Sequence, residues 1–361
     1  MERRKFLVKA GGTLMAAGAA AAVEAPNVIA QPKYQWRMAT SWPPKYPIYQ
    51  DGAEKFAKRV EVASGGRLKI DVYAAGELIP ALGNFDAVRQ GTVEVGHAAA
   101  YWWAGYEPAT QWFTTVPFGM NAQGTLAWLT SGGGQELHEE LYSGFNLVPR
   151  RGGFTGVQMA GWFRKKIKSV DDLKGLKMRI PGLGGKVYGK VGVAVVMLAP
   201  GDIYISLERG VLDATEWIGP YLDRRLGLHQ VAKYYYYPGW HEPGTSGELF
   251  FNKKAYEKLP VDLQYIIDAA SDRVANWMFT QFDVHNASAL EDLVVNHKVQ
   301  VLKLPDSVLA DFRKLSAEVV REEAEKSPMA KKVSEAYNKF MKQWLAYSKL
   351  SEAAYYDLMF G

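Results

Sequence analysis

One short pattern occurs twice in this chain and limits what it can fold into. Ala87-Val-Arg-Gln-Gly91-Thr-Val-Glu-Val-Gly-His97 aligns with Ser206-Leu-Glu-Arg-Gly210-Val-Leu-Asp-Ala-Thr-Glu216. Each copy reads as the end of a helix stopped at glycine, then a short strand, then a polar residue at the strand's carboxyl end. Upstream of the first copy, Gln35–Ser41 reads as a strand, and Ala53, Phe56, Ala57 and Val60 follow helical spacing. Leu68, Ile70 and Val72 alternate with Lys69, Asp71 and Tyr73, as in a half-buried strand. This β-α-β-α-β succession predicts an α/β lobe around a mainly parallel sheet, and the repeat predicts a second lobe. Ligands of open α/β sheets bind outside the carboxyl ends of the strands. Two facing lobes would therefore form a cleft between His97–Tyr101 and Glu216–Trp217. A chance match of two helix–glycine–strand units is the competing account.

Beyond Tyr221 the pattern turns more helical. Val261 to about Asn296 predicts one helix long enough to span both lobes, with Leu263, Ile266, Ile267, Ala270, Val274 and Met278 as its apolar positions. A strand at Val299–Leu304 precedes helices at Pro305–Lys326 and Met329–Leu358. The last carries Ala336, Tyr337, Phe340, Met341, Trp344, Leu345 and Tyr347. So wide an apolar face points to a partner subunit, or to a broad contact with its own lobe.

The 361 residues suffice for two cored domains, and the absence of cysteine excludes disulfides and thiol chemistry. The first thirty residues hold four of the positive charges and two of the negative, so the remainder carries about +3 of the formal +5. That balance is too modest and dispersed for a nucleic-acid surface. Glu2-Arg3-Arg4-Lys5-Phe6-Leu7 before an Ala- and Gly-rich run reads as an export signal cleaved near Ala30–Gln31. Its paired arginines resemble a twin-arginine signal, which places the mature protein in the periplasm.

The motifs of common chemistries are missing. Gly184-Gly-Lys-Val-Tyr-Gly189-Lys190-Val191 approaches a phosphate loop, but Val191 stands where a magnesium-binding hydroxyl belongs. The six histidines are scattered and form no His-Glu-x-x-His, and no Gly-x-Ser-x-Gly occurs. Nothing demands an enzyme. Arg179 closes a strand-like run just before Ile-Pro-Gly-Leu-Gly-Gly. A guanidinium fork beside exposed N–H groups suits capture of a carboxylate. Gln158, Glu216 and Glu242 offer amide and carboxylate oxygens of the kind a hard cation takes. Each of them alone can equally be an ordinary hydrogen-bonding group.

Leu173-Lys-Gly-Leu-Lys-Met-Arg179-Ile-Pro, Gln90-Gly-Thr-Val-Glu-Val-Gly96 and Gly210-Val-Leu-Asp-Ala-Thr-Glu216-Trp217 are similar to the solute receptors of TRAP (tripartite ATP-independent periplasmic) transporters. The similarity runs from about Tyr34 to the C-terminus. Thr-Glu216-Trp217-Ile-Gly-Pro and Gly-Trp240-His241-Glu242-Pro-Gly most resemble the branch that binds 2-oxo monocarboxylates such as pyruvate, and the lactate receptors. The resemblance implies a two-lobed, periplasmic-binding-protein-like α/β fold with hinge strands, a long helix crossing both lobes, and extra C-terminal helices. The division expected is an export signal at 1–30, lobe 1 from 31–155 plus about 246–285, lobe 2 from 156–245 plus about 299–326, and a C-terminal element at 327–361. It implies that Arg179 holds the ligand carboxylate and that one cation, sodium or calcium, is held by Gln158, Glu216, the Trp217 carbonyl and Glu242. Tyr101 of lobe 1 would wall the ligand, with Gln158 and Glu216 also touching it. The implied partners are a small carboxylate, the small and large TRAP membrane subunits, and a second copy swapped through the C-terminal helix. A cation between Glu216 and Glu242 would let the acids lie beside an anion, and a 2-oxo or 2-hydroxy oxygen would complete its shell.

Overall fold

A computed structural model describes residues 33–361, so the export signal lies outside the described residues. Two sheets form the molecule. The first is built from β1 (Tyr34–Thr40), β2 (Leu68–Tyr73), β3 (Val95–Ala98), β4 (Leu147–Phe154) and a late strand, Ser246–Asn252. The second takes β5 (Gly161–Phe163), β6 (Lys177–Arg179), β7 (Ala194–Val196), β8 (Ala214–Thr215), β9 (Tyr234–Tyr237) and another late strand, Gln300–Lys303. In chain order the two late strands are β10 and β11.

The sheets share a plan. In the first, β1 lies between β2 and β3, parallel to both, and β10 adds antiparallel to β3. In the second, β6 lies between β7 and β8, parallel to both, and β5 adds antiparallel to β8. The repeated helix–glycine–strand pattern is thus a repeated place in the fold, since β3 and β8 occupy equivalent positions. The sheets are mixed rather than mainly parallel. The reason is connectivity: β10, on which the chain returns to the first lobe, pairs antiparallel with β3 and β4, and β5, on which it enters the second, pairs antiparallel with β8 and β9.

Those crossings are short. Thr155–Ala160 carries the chain from β4 to β5, and Pro238–Thr245 carries it back from β9 to β10. The two segments run against each other: Thr155 N–H donates to Thr245 O at 3.0 Å and Gln158 N–H to Glu242 O at 3.1 Å. A side chain at Gly239 would meet the Gln158 carbonyl at 2.1 Å, so only glycine lets the strands approach this closely.

The third crossing is the long helix Val261–Val295. Its N-terminal half packs on β4 and on the helix Tyr49–Ala63 of the first lobe, and its C-terminal half meets Pro220–Arg225 of the second. Arg224 pairs with Asp292 at 2.7 Å, and Tyr221 stacks on His285. At its rise of roughly 1.5 Å per residue such a helix reaches about 50 Å, enough to tie both lobes.

The C-terminal region departs from expectation. One helix was expected at Met329–Leu358; the structure has two, Pro328–Ser348 and Glu352–Phe360. The first turns the predicted apolar face onto its own chain: Tyr337 is buried, its hydroxyl accepting the Met120 N–H at 2.9 Å, while Phe340 and Trp344 cover Gly132 and Gly124. The wide stripe is largely used up in this contact. Tyr347, Leu350, Tyr355, Leu358 and Phe360 stay exposed, and Glu352–Phe360 buries nothing.

Candidate ligand and cation site

Arg179 ends β6, and the register sets its partner. Arg179 lies opposite Thr215 in the parallel β6–β8 pair, and Glu216 N–H donates to Arg179 O at 3.2 Å. The next residue on each strand end therefore meets its neighbour: Arg179 Nη1 donates to Glu216 Oε1 at 2.5 Å. Both side chains are about 1% exposed. The Trp217 ring lies under the guanidinium, 5.2 Å from its centre. Chain reversal after Arg179 begins at Gly182, in the left-handed region at φ 60°, where a Cβ would strike the Tyr101 ring at 2.7 Å. Glycine is needed there on both counts. Tyr101, from the first lobe, thus closes over the strand end that carries the arginine.

The crossing segments add the remaining oxygens. Gln158 Nε2 donates to Thr245 Oγ1 at 2.9 Å, and Thr245 Oγ1 donates to Glu242 Oε2 at 2.7 Å. This clamp leaves Gln158 Oε1 and Glu242 Oε1 buried without a hydrogen-bond partner, and Arg179 Nη2 likewise. Donor atoms of Glu216, His241 and Glu242 lie within 4.8 Å of one another. A buried polar atom left unpaired costs about 1–3 kcal/mol, so three at one locus mark a place for a ligand.

Burial dominates the electrostatics. It pushes the Glu216 carboxyl up to about 8 even though Arg179 opposes the shift. Glu242 rises to about 7, from burial first and the Glu216 charge second. His241 falls to about 4 through burial, so its ring is neutral beside Glu216 Oε2 at 3.4 Å. Two acids that resist ionising together ionise readily beside a cation. The donor set of carboxylate and amide oxygens fits a hard ion of the sodium or calcium kind.

All the residues singled out from the sequence, Tyr101, Gln158, Arg179, Glu216, Trp217 and Glu242, meet in this one locus. Burial, then the charges of Glu242 and Glu216, raises the Tyr101 hydroxyl well above its ordinary range. His97 does not join them. It is buried inside its own lobe, between the Trp42 indole N–H (2.8 Å) and the Gly152 carbonyl (2.7 Å).

Three participants escape sequence reasoning. His241 stands beside a candidate acid, yet along the sequence it is one of six scattered histidines. Thr245 fixes both Gln158 and Glu242, and its only local signal is its place three residues after Glu242. Tyr49 stacks on Trp42 at 4.1 Å, and its hydroxyl is pushed up by burial and by the charges of Glu242 and Glu216.

Comparison with known proteins gives consistent neighbours. The family described as bacterial extracellular solute-binding protein, family 7, matches residues 38–327. The monocarboxylate 2-oxoacid-binding periplasmic protein of Nostoc sp. is 44% identical over 324 residues, covering 90% of this chain and 88% of its own. A TRAP periplasmic solute-binding protein from Pseudoalteromonas atlantica, solved with sodium and pyruvate, superposes with a TM-score of 0.87 at 41% identity, covering 90% of this chain and 98% of that one. A TRAP solute-binding protein from Bordetella bronchiseptica, a mixed-occupancy dimer with calcium and picolinate in one site, gives a TM-score of 0.89 at 39% identity over 91% and 98%.

Proposed function

The chain belongs to bacterial extracellular solute-binding protein family 7, and from that membership we propose that it captures small 2-oxo monocarboxylates of the pyruvate kind. Members of this family are extracytoplasmic receptors that hand solutes to TRAP membrane subunits; they are not enzymes. The observation that carries the ligand reading is the coincidence of Arg179 Nη2, Gln158 Oε1 and Glu242 Oε1, all buried and all unpaired, at one locus between the lobes. One donor and two hard oxygens match an acid head joined to a cation.

Arg179 holds the ligand carboxylate, and Tyr101 closes over it from the first lobe. Gln158, Glu216, the Trp217 carbonyl and Glu242 hold a sodium or calcium ion, which supplies the positive charge that lets both acids ionise beside an anion. Gln158 and Glu216 also border the acid. A cation favours acids with an oxygen on the α-carbon, which completes its shell. Lactate and other 2-hydroxy acids share that oxygen and form the second reading; the Nostoc sp. relative tips the choice to 2-oxo acids. The first sheet, with the N-terminal half of the long helix, is lobe 1, and the second sheet is lobe 2. Beyond them, the exposed Tyr355, Tyr356, Leu358 and Phe360 form the contact of a homodimer. Export follows the twin-arginine route, through Arg3 and Arg4.

Calorimetry with pyruvate, 2-oxobutyrate, lactate and succinate, each with calcium and with chelator, tests the reading. Tight, cation-dependent binding of the 2-oxo acids is expected; binding of succinate alone, indifferent to chelator, rejects it. Sedimentation of a chain ending at Ser348 tests the dimer, which should become a monomer. Replacing Arg3 and Arg4 by lysine should block export.

A further inference from the structure

Resting on that functional reading, we propose that Tyr46 is the closure latch of this receptor: a hydroxyl of the first lobe, bonded to two groups of the second, that sets how long the ligand is retained. The Trp217 indole N–H donates to Tyr46 Oη at 2.7 Å, and that hydroxyl donates to the Leu222 carbonyl at 3.3 Å. Tyr46 precedes the helix Tyr49–Ala63 of the first lobe, whereas Trp217 follows β8 of the second and Leu222 lies in the helix Pro220–Arg225 after it. The rings meet edge on, with centroids 6.3 Å apart, and Tyr46 is buried.

Three features make this contact more than packing. Trp217 carries it while its ring lies under the Arg179 guanidinium, so one indole touches both the carboxylate grip and the facing lobe. The segment that holds Tyr46 is strained: Lys45 and Ile48 are non-glycine residues at φ 56° and 65°, and Ile48, with ψ −56°, centres a rare γ-turn closed by the Tyr49 N–H on the Pro47 carbonyl at 2.8 Å. Strain of this kind persists only where surrounding contacts hold it, and Ile48 is itself buried. Finally, Arg179 and Glu216 are almost wholly shielded from solvent, so no acid can reach or leave them until the lobes part. Bonds that exist only in the closed form slow that opening and leave capture by the open form nearly untouched.

The test is Tyr46→Phe in the full mature chain, which keeps the ring and removes both bonds. Stopped-flow measurement with pyruvate and saturating calcium should show release about 5- to 10-fold faster, from the loss of two modest hydrogen bonds. Association should stay within about twofold and the order of preference among acids should not change. Release at the wild-type rate overturns the latch, as does a variant whose only defect is a lower Tm without ligand. The functional reading fails separately, if wild-type protein binds none of the acids. The latch is then judged by energy transfer between labels at Lys58→Cys and Lys190→Cys, one on each lobe of this cysteine-free chain. A smaller closed fraction in Tyr46→Phe supports it, and equal fractions overturn it.

Discussion

His97 and Glu216 occupy the same place in the two lobes, at the carboxyl ends of β3 and β8, and they do opposite things. His97 is fully partnered within its lobe, with Trp42 on one ring nitrogen and Gly152 on the other. Glu216 reaches across its strand end to Arg179 and faces His241, beside buried atoms that have no partner. Both are buried and both are shifted toward the neutral form by burial, His97 down to about 4 and Glu216 up to about 8. Equivalent topology and equal burial therefore do not give equal surroundings. His97 has both ring nitrogens satisfied inside its own lobe, whereas Glu216 stands beside buried atoms of Gln158, Arg179 and Glu242 that lack a partner.

That contrast is most easily broken at Arg179. Arg179→Met should weaken pyruvate binding by about 10³-fold, since a buried charge loses its partner at a penalty of about 3–5 kcal/mol. Calorimetry reads this directly, and micromolar binding by the variant would remove Arg179 from the site. Next in size is Glu242→Gln, which removes one of two charges from the proposed cation cage. Calcium affinity, titrated without any acid, should fall on the order of 10²-fold, because ligand charge count tunes such sites.

A pH series sharpens the comparison without mutation. The raised carboxyls of Glu216 and Glu242 hold protons in the folded protein that the unfolded chain has released above about 5. Their contribution is present at low pH and is lost as pH rises through about 7 and about 8. The depressed histidines 97 and 241 act with the opposite sign, but only between about 6.5 and 4. Between pH 6.5 and 8.5 the melting temperature in chelator should therefore fall, and calcium should restore it increasingly as pH rises. A flat curve in chelator would contradict the raised carboxyls that burial gives Glu216 and Glu242.

The smallest effect should come from the structural partner. His97→Leu leaves the Trp42 N–H and the Gly152 carbonyl unpaired, at about 1–3 kcal/mol of stability. Denaturant unfolding should register the loss, while pyruvate affinity stays within about threefold. A larger loss of affinity would place His97 in the ligand site after all.

How far these residues could be read in advance follows from how local their signals are. Arg179 could be singled out because strand, proline and glycines surround it within a dozen residues, and Glu216 because the repeated pattern ends on it. Gln158 and Glu242 have no comparable local mark: their oxygens made them candidates for a hard cation, and only the resemblance to TRAP receptors joined them as ligands of one ion. Their meeting depends on two crossing segments held together at Gly239 and on Thr245 between their side chains. Tyr46 had no signal at all, because its partners lie 171 and 176 positions further along the chain.

The order of strands and helices, the two-fold repeat, the long tie helix and the arginine at a strand end are all determined by the sequence itself. They depend on periodicity, on glycine stops and on neighbours a few positions apart, and such interactions are encoded locally. Tertiary structure alone decided which buried polar groups are satisfied and which are left over, that the C-terminal stripe packs on its own lobe, and that Tyr46 spans the cleft. Those outcomes depend on distances between segments far apart in the chain, and hydrogen bonding and burial are properties of position in space, not of residue type.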